Sequence, residues 1–169
     1  WENLEYFLKA VMPRAEKFGV KLAIHPDDPP WRIFGLPRII TEEASFKKLI
    51  NIVDSPSNCI TLCTGSIGAN REVDLLKLTK FLIEKNRVPF IHVRNIKYFG
   101  DKNFKETAHP TIEGDIDIYG VLKILVENDF DGIIRPDHGR MIWGEEAKPG
   151  YGLFDRALGS MYIAGIMEA

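Results

Sequence analysis

The chain is poor in cysteine, with two among 169 residues, Cys59 and Cys63. Both fall on one stretch that reads as a strand, where four residues separate them by roughly 13 Å, beyond the ~7 Å that the Cα atoms of a disulfide allow. A disulfide framework is therefore excluded, and the cytoplasm is the expected address. No apolar run approaches the ~18 residues of a membrane span. A net charge of −2 gives no electrostatic reason to expect nucleic acid or an anionic membrane as a partner. No Gly-rich motif ending in Lys-Ser/Thr occurs, so Gly65 and Gly68 are weak evidence for a phosphate loop. No segment is low in complexity. Residues 1–20 carry acidic side chains in a helical pattern, unlike a signal peptide.

What is present is an ordinary soluble composition, 45% apolar and 27% charged, which suits a single domain with one sizeable core. Leu4, Phe7, Leu8, Val11, Ala15 and Phe18 recur at helical steps over 3–18, with Pro13 expected to kink or break the pattern and Gly19 to stop it. Short β-rich runs are expected near 20–24, 60–63, 88–93 and 132–136. Helical patterns lie between and after them, at about 41–53, 71–86, 116–128 and 154–167. Long loops are expected at 25–40, 96–115 and 138–153, and a short one at 64–68. The long loops all follow strands, whereas the helix-to-strand links are short. Strands alternating with helices imply a parallel sheet with right-handed crossovers, and this loop asymmetry marks the C-terminal ends of the strands as the working face of a barrel. An α/β fold is expected, with about four parallel (β/α) units forming the C-terminal half of a (β/α)8 TIM barrel. Residues 1–169 are expected to be a single domain that lacks the barrel's N-terminal half.

Each of the four β-rich runs ends on a residue able to bind a metal: His25, Cys63, His92 and Asp137. Their spacing, about 30 to 45 residues, is that of barrel units and not of zinc fingers. Thiolate with imidazole suggests Zn²⁺, while the carboxylate leaves Mn²⁺ and Fe²⁺ open. Each residue singly has an ordinary structural explanation. A Cys on a strand is usually a small buried hydrophobe, and an Asp before His-Gly can simply shape a turn. The same end of four consecutive strands is harder to explain that way. Side-chain alternation places Arg94 one layer nearer the mouth than the ligands, and Arg135 one layer below Asp137, where its charge needs a partner. His109 by default is a solvated loop residue, and Tyr151 a lid aromatic.

The runs IRPDHGRMIW (134–143) and KPGYGLFDRALG (148–159) closely resemble mannonate dehydratases, hexuronate-catabolic enzymes with a xylose-isomerase-like barrel. So do HVRN (92–95), FKETAH (104–109), AIHPDDPP (23–30) and LCTGS (62–66), and the resemblance extends over the whole chain. Members of that family are about twice as long. The resemblance implies a divalent metal, Mn²⁺ or Fe²⁺ in preference to Zn²⁺, on His25, Cys63, His92 and Asp137. It implies chemical roles for His138 and Tyr151, and the reaction D-mannonate → 2-keto-3-deoxy-D-gluconate + water in glucuronate catabolism. Loss of the C2 proton and the C3 hydroxyl requires a base and an acid. His138 is expected as the acid and Tyr151 in proton abstraction, with the reverse assignment open. Arg94 is the expected clamp for the substrate carboxylate, with Asn95, His109 and Arg140 as further substrate contacts. A homo-oligomer is expected. The competing readings are a xylose-isomerase-like isomerase or epimerase, and a non-catalytic half-barrel.

Overall fold

The computed structural model describes all 169 residues, Trp1–Ala169. Helix α1 (Glu2–Lys17) is followed by β1 (Leu22–Ile24), α2 (Glu43–Ile52), β2 (Asn58–Cys63), α3 (Thr64–Gly68), α4 (Leu75–Glu84) and β3 (Phe90–Val93). A hairpin of β4 (Ile96–Gly100) and β5 (Asn103–Glu106) comes next, then a 3₁₀ turn (Thr111–Glu113), α5 (Ile118–Glu127), β6 (Ile133–Pro136) and α6 (Leu153–Met167). The strands β1-β2-β3-β6 form one sheet in that order, every pair parallel. This is the expected run of (β/α) units, and β1 and β6 are its open edges.

Alternation along the strands sorts the two faces of the sheet. Ile60 and Leu62 of β2, with Ile91 and Val93 of β3, are fully buried in the main apolar core. That core is completed by Leu8 and Met12 of α1, Phe46 and Leu49 of α2, Leu78 and Leu82 of α4, and Val121, Leu122 and Leu125 of α5. Burial of each such side chain stabilises by about 1.5–3 kcal/mol, which holds the helices against this face. The other face carries Thr61, Cys63, Phe90 and His92, leaving a thiol and an imidazole at the strand ends.

Local chemistry explains three of the six α-helix starts. Asp74 caps α4 by accepting from Lys77 N at 3.0 Å, and Asp117 caps α5 by accepting from Gly120 N at 2.9 Å. At α2 the cap is Glu42, with Ser45 closing a reciprocal capping box.

Three expectations are corrected. Of the kink or break expected at Pro13, the break does not occur, since helix α1 runs on through it. Residues 64–68 are a one-turn helix, despite two glycines with poor helix propensity. The reason is tertiary: a Cβ on Gly65 would lie 2.2 Å from Arg94 Nε, so glycine is what allows the arginine to cross the turn. The expected loop at 96–115 contains the β4–β5 hairpin. Its turn residues Asp101 and Lys102 both have positive φ, 45° and 62°, the backbone of a primed hairpin turn without the Asn-Gly or Asp-Gly pair that usually announces one.

Candidate active site and metal centre

Register brings the strand ends together. Cys63 stands opposite His92, and His92 opposite Arg135. His25 follows β1 directly, and its ring centroid lies 5.2 Å from that of His92. One ligand atom from each of His25, Cys63 and His92 lies within 4.8 Å of the others. Asp137 adjoins this cluster, with Oδ2 3.5 Å from His92 Nδ1 and 4.0 Å from Cys63 Sγ. It lies outside the tight group of three, and its Oδ1 accepts from Arg135 Nη2 at 2.5 Å.

The donor set fits a divalent cation. Both ring nitrogens of His92 are buried and have no hydrogen-bond partner. An unmet polar atom in the interior ordinarily costs about 1–3 kcal/mol, so a ring with two such atoms beside a thiol and a carboxylate suits coordination of a cation. His25 Nδ1 donates to the Pro26 carbonyl at 2.7 Å, which leaves Nε2 for coordination. Ser66 Oγ donates to Cys63 Sγ at 3.0 Å and steadies the sulfur. Burial opposes ionisation of Asp137. The Arg135 hydrogen bond and the charges of His92 and His138 outweigh it, holding the carboxyl below its ordinary range.

Beyond the cluster lies a chain of charged contacts. Arg94 donates to Asp28 Oδ2 at 2.7 Å, to Glu106 Oε1 at 3.4 Å and to Ser66 Oγ at 3.4 Å. The same Glu106 oxygen accepts from His138 Nδ1. His138 Nε2 then lies 3.8 Å from Asp137 Oδ2. The Glu106 hydrogen bond raises the His138 pKa above the usual imidazole value, against the opposing effect of burial. His138 also has a left-handed backbone, φ 50°, which is uncommon for a residue other than glycine. Tyr151 stands with its ring 6.1 Å from that of His138, held there because Gly139 pairs with it in a short parallel bridge.

A family model for D-mannonate dehydratase (UxuA) matches residues 1–169. The chain belongs to the mannonate dehydratase family. Mannonate dehydratases of Geobacillus thermodenitrificans and Bacillus subtilis are 53% and 56% identical to it over 99% and 100% of the chain. It spans 45% and 46% of those relatives, about half the length of the curated mannonate dehydratases it matches. The crystal structure of mannonate dehydratase from Streptococcus suis serotype 2 superposes with a TM-score of 0.96 at 52% identity, over 99% of this chain and 48% of that one. A D-tagatose 3-epimerase-like protein superposes at 0.66 with 17% identity, which shows a shared fold alone. The four-strand sheet is thus half of a mannonate dehydratase TIM barrel.

Within this mannonate dehydratase sheet, the four residues expected as substrate contacts are committed elsewhere. Arg94 is 4% exposed and already paired with two carboxylates, so it is not an open clamp. Asn95 Oδ1 accepts from Ile96 N and Ile116 N, while its amide donates to the Pro110 carbonyl, so it pins the chain beside the hairpin. His109 is buried and not solvated. Its Nε2 donates to the Asp137 carbonyl at 3.2 Å, and its ring lies so close to α6 that a Cβ on Gly159 would meet it at 2.4 Å. Burial lowers the His109 pKa despite that hydrogen bond. Arg140 binds Asp155 through both Nε and Nη2 at 3.0 Å. Arg135 is level with His92, and the partner its charge requires is Asp137 itself.

The Asp155 pair ties the 138–153 loop to the first turn of α6. Burial would raise the Asp155 pKa, but hydrogen bonds from Arg140 and its positive charge lower it. Because the folded value is depressed, this stabilisation is complete above the ordinary carboxylate range. It is lost as the pH falls through the folded-state value. Asp155→Asn is expected to cost about 2 kcal/mol at neutral pH, read by urea unfolding, and the difference from the parent should shrink in acid.

Sequence reasoning did not single out Glu106, Asp28 or Ser66. Glu106 was concealed because its hairpin was expected to be loop. The alternation of Phe104 and Glu106 with exposed Asn103 and Lys105 is the signal that could have exposed it.

Proposed function

We propose that the protein dehydrates D-mannonate to 2-keto-3-deoxy-D-gluconate in glucuronate catabolism, with Mn²⁺ or Fe²⁺ held by His25, Cys63, His92 and Asp137. The observation that carries this reading is the convergence of His25, Cys63 and His92 beside Asp137, in a chain of the mannonate dehydratase family. When bound, the metal supplies Lewis-acid stabilisation of the negative charge that develops next to the substrate carboxylate as the C2 proton leaves.

The remaining chemistry falls to this chain's own side chains. Dehydration removes the C2 proton and the C3 hydroxyl, and the resulting enol then ketonises. His138 Nε2 is on the side of Asp137 and donates the proton with which the C3 hydroxyl leaves as water. Tyr151, near the His138 ring and 46% exposed, takes part in removing the C2 proton from the loop side. Arg94, Asn95, His109 and Arg140 act as supports for these groups. Arg94 holds Asp28 and Glu106, Asn95 the hairpin base, His109 the Asp137 backbone, and Arg140 the loop that carries Tyr151.

No helix is long and apolar enough to cross a membrane. A thiol in the ligand set must stay reduced, and both cysteines are free, which supports a cytoplasmic address. Self-association is proposed as well; the exposed Ile133, Leu153 and Met161 on the β6–α6 side lie by the open edge of the half barrel and are not assigned to it. The test of function is a panel of D-mannonate and neutral aldoses supplied with Mn²⁺. Release of a 2-keto-3-deoxy acid from D-mannonate, abolished by chelator and restored by Mn²⁺, is the expected result. Isomerisation of an aldose without dehydration would overturn the reading.

A further inference from the structure

We propose that Glu106 is a positioning residue that sets the tautomer and orientation of His138, and that the β4–β5 hairpin exists at this point of the barrel to deliver it. The proposal deepens the dehydratase reading above and rests on it for the catalytic consequence.

A carboxylate can only accept, so the hydrogen bond between Glu106 Oε1 and His138 Nδ1 requires hydrogen on Nδ1. The other nitrogen, Nε2, is then the one presented to the ligand cluster, 3.8 Å from Asp137 Oδ2. The proton it gives as acid is the second proton of the imidazolium, while Nδ1–H stays with Glu106. The same arrangement of carboxylate, imidazole and reacting centre is a general way of holding a histidine for proton transfer. A second observation is independent of that contact. His138 is held at φ 50°, a backbone region disfavoured for a side chain of its size. Such a conformation persists where its surroundings over-determine it. Here they do so from two sides, with Glu106 on Nδ1 and the Gly139–Tyr151 bridge on the following residue.

The carrier of Glu106 is itself anchored at several points. The hairpin base is tied through Thr107 N to the Asn95 carbonyl at 3.1 Å, and through Asp115, which accepts from Lys97 Nζ and Tyr98 N, both at 2.7 Å. Arg94 donates to Glu106 but is held more closely by Asp28, at 2.7 Å against 3.4 Å. Loss of the Glu106 carboxylate therefore falls chiefly on His138.

The test uses the full chain with ¹⁵N-labelled histidine, metal-free, and follows the ring nitrogens of His138, identified by their absence in His138→Asn. The parent is expected to show hydrogen held on Nδ1. Glu106→Ala is expected to show the ordinary mixed tautomers of an unrestrained imidazole. With Mn²⁺ and D-mannonate, Glu106→Ala should lower kcat by about 10–100-fold with KM within about threefold, and Glu106→Asp should recover part of kcat. Unchanged His138 nitrogen shifts in Glu106→Ala overturn the proposal, as does a raised KM at parental kcat. Should Glu106→Ala fail to fold, Glu106→Leu, similar in length and without an acceptor for Nδ1–H, is read in the same way. If the parent does not dehydrate D-mannonate, the dehydratase reading fails, and the nitrogen shifts still decide the role of Glu106.

Discussion

Replacing Cys63 with serine is expected to weaken Mn²⁺ binding by at least about 100-fold, or some 2.7 kcal/mol, with the fold retained. The thiol ionises to a soft, strongly donating ligand, whereas a serine hydroxyl at the same place stays neutral and its oxygen sits closer to the backbone. Loss of supporting groups around a metal already costs about 10–100-fold, and removal of a direct donor should cost no less. Cys63 is fully buried and caps α3, so the change is confined to one atom among well-packed neighbours. The built-in comparison is Cys59→Ser at the other end of β2, where the thiol donates to the Pro56 carbonyl at 3.2 Å. That variant should bind Mn²⁺ as the parent does. Equilibrium dialysis with elemental analysis measures both, and parental affinity in Cys63→Ser would remove the thiol from the ligand set.

His138→Asn should lower kcat for D-mannonate about 10²–10⁴-fold while Mn²⁺ affinity stays within about threefold. A hundredfold loss corresponds to about 2.7 kcal/mol of transition-state stabilisation. Asparagine is the informative substitution because it accepts the left-handed backbone more readily than most residues, so φ 50° is not itself penalised. It keeps a polar side chain near Glu106 but cannot deliver a proton. Tyr151→Phe tests the partner role on the loop side, with its ring packing against His138 kept and only the hydroxyl lost. The two effects should be strongly non-additive if, as proposed, each group serves one half of the same elimination. Parental kcat in both single variants would exclude the proposed acid and base.

The residues that these two experiments address are legible in the sequence. His25, Cys63, His92 and Asp137 each end a β-rich run, and a parallel sheet has only one end at which such residues can collect. Arg94, Asn95, His109 and Arg140 were visible as polar residues near the same ends, but their partners were not. Whether an arginine is an open clamp or a buried brace depends on whether carboxylates reach it. For Arg94 those carboxylates come from Asp28, 66 residues away in sequence, and from Glu106 on an unforeseen hairpin. His109 was misjudged as solvated for the same kind of reason. What buries it is Gly159, on a helix that begins 44 residues later. Arg135 was placed below the metal from alternation along its own strand, yet register with the neighbouring strand puts it level with His92.

The sequence by itself determined the periodicities, and with them the order of the four sheet strands and the longer helices, and the ends on which the ligand-type residues sit. Those are local properties, set by side-chain alternation and by where proline and glycine interrupt a pattern. Only the tertiary structure decided which of those residues are within reach of one another, which are consumed by partners and which are left unsatisfied. Distances between strand ends depend on inter-strand register, and the state of a charged side chain depends on groups brought from far along the chain. The two unpartnered nitrogens of His92 and the contact of Glu106 with His138 are facts of that second kind.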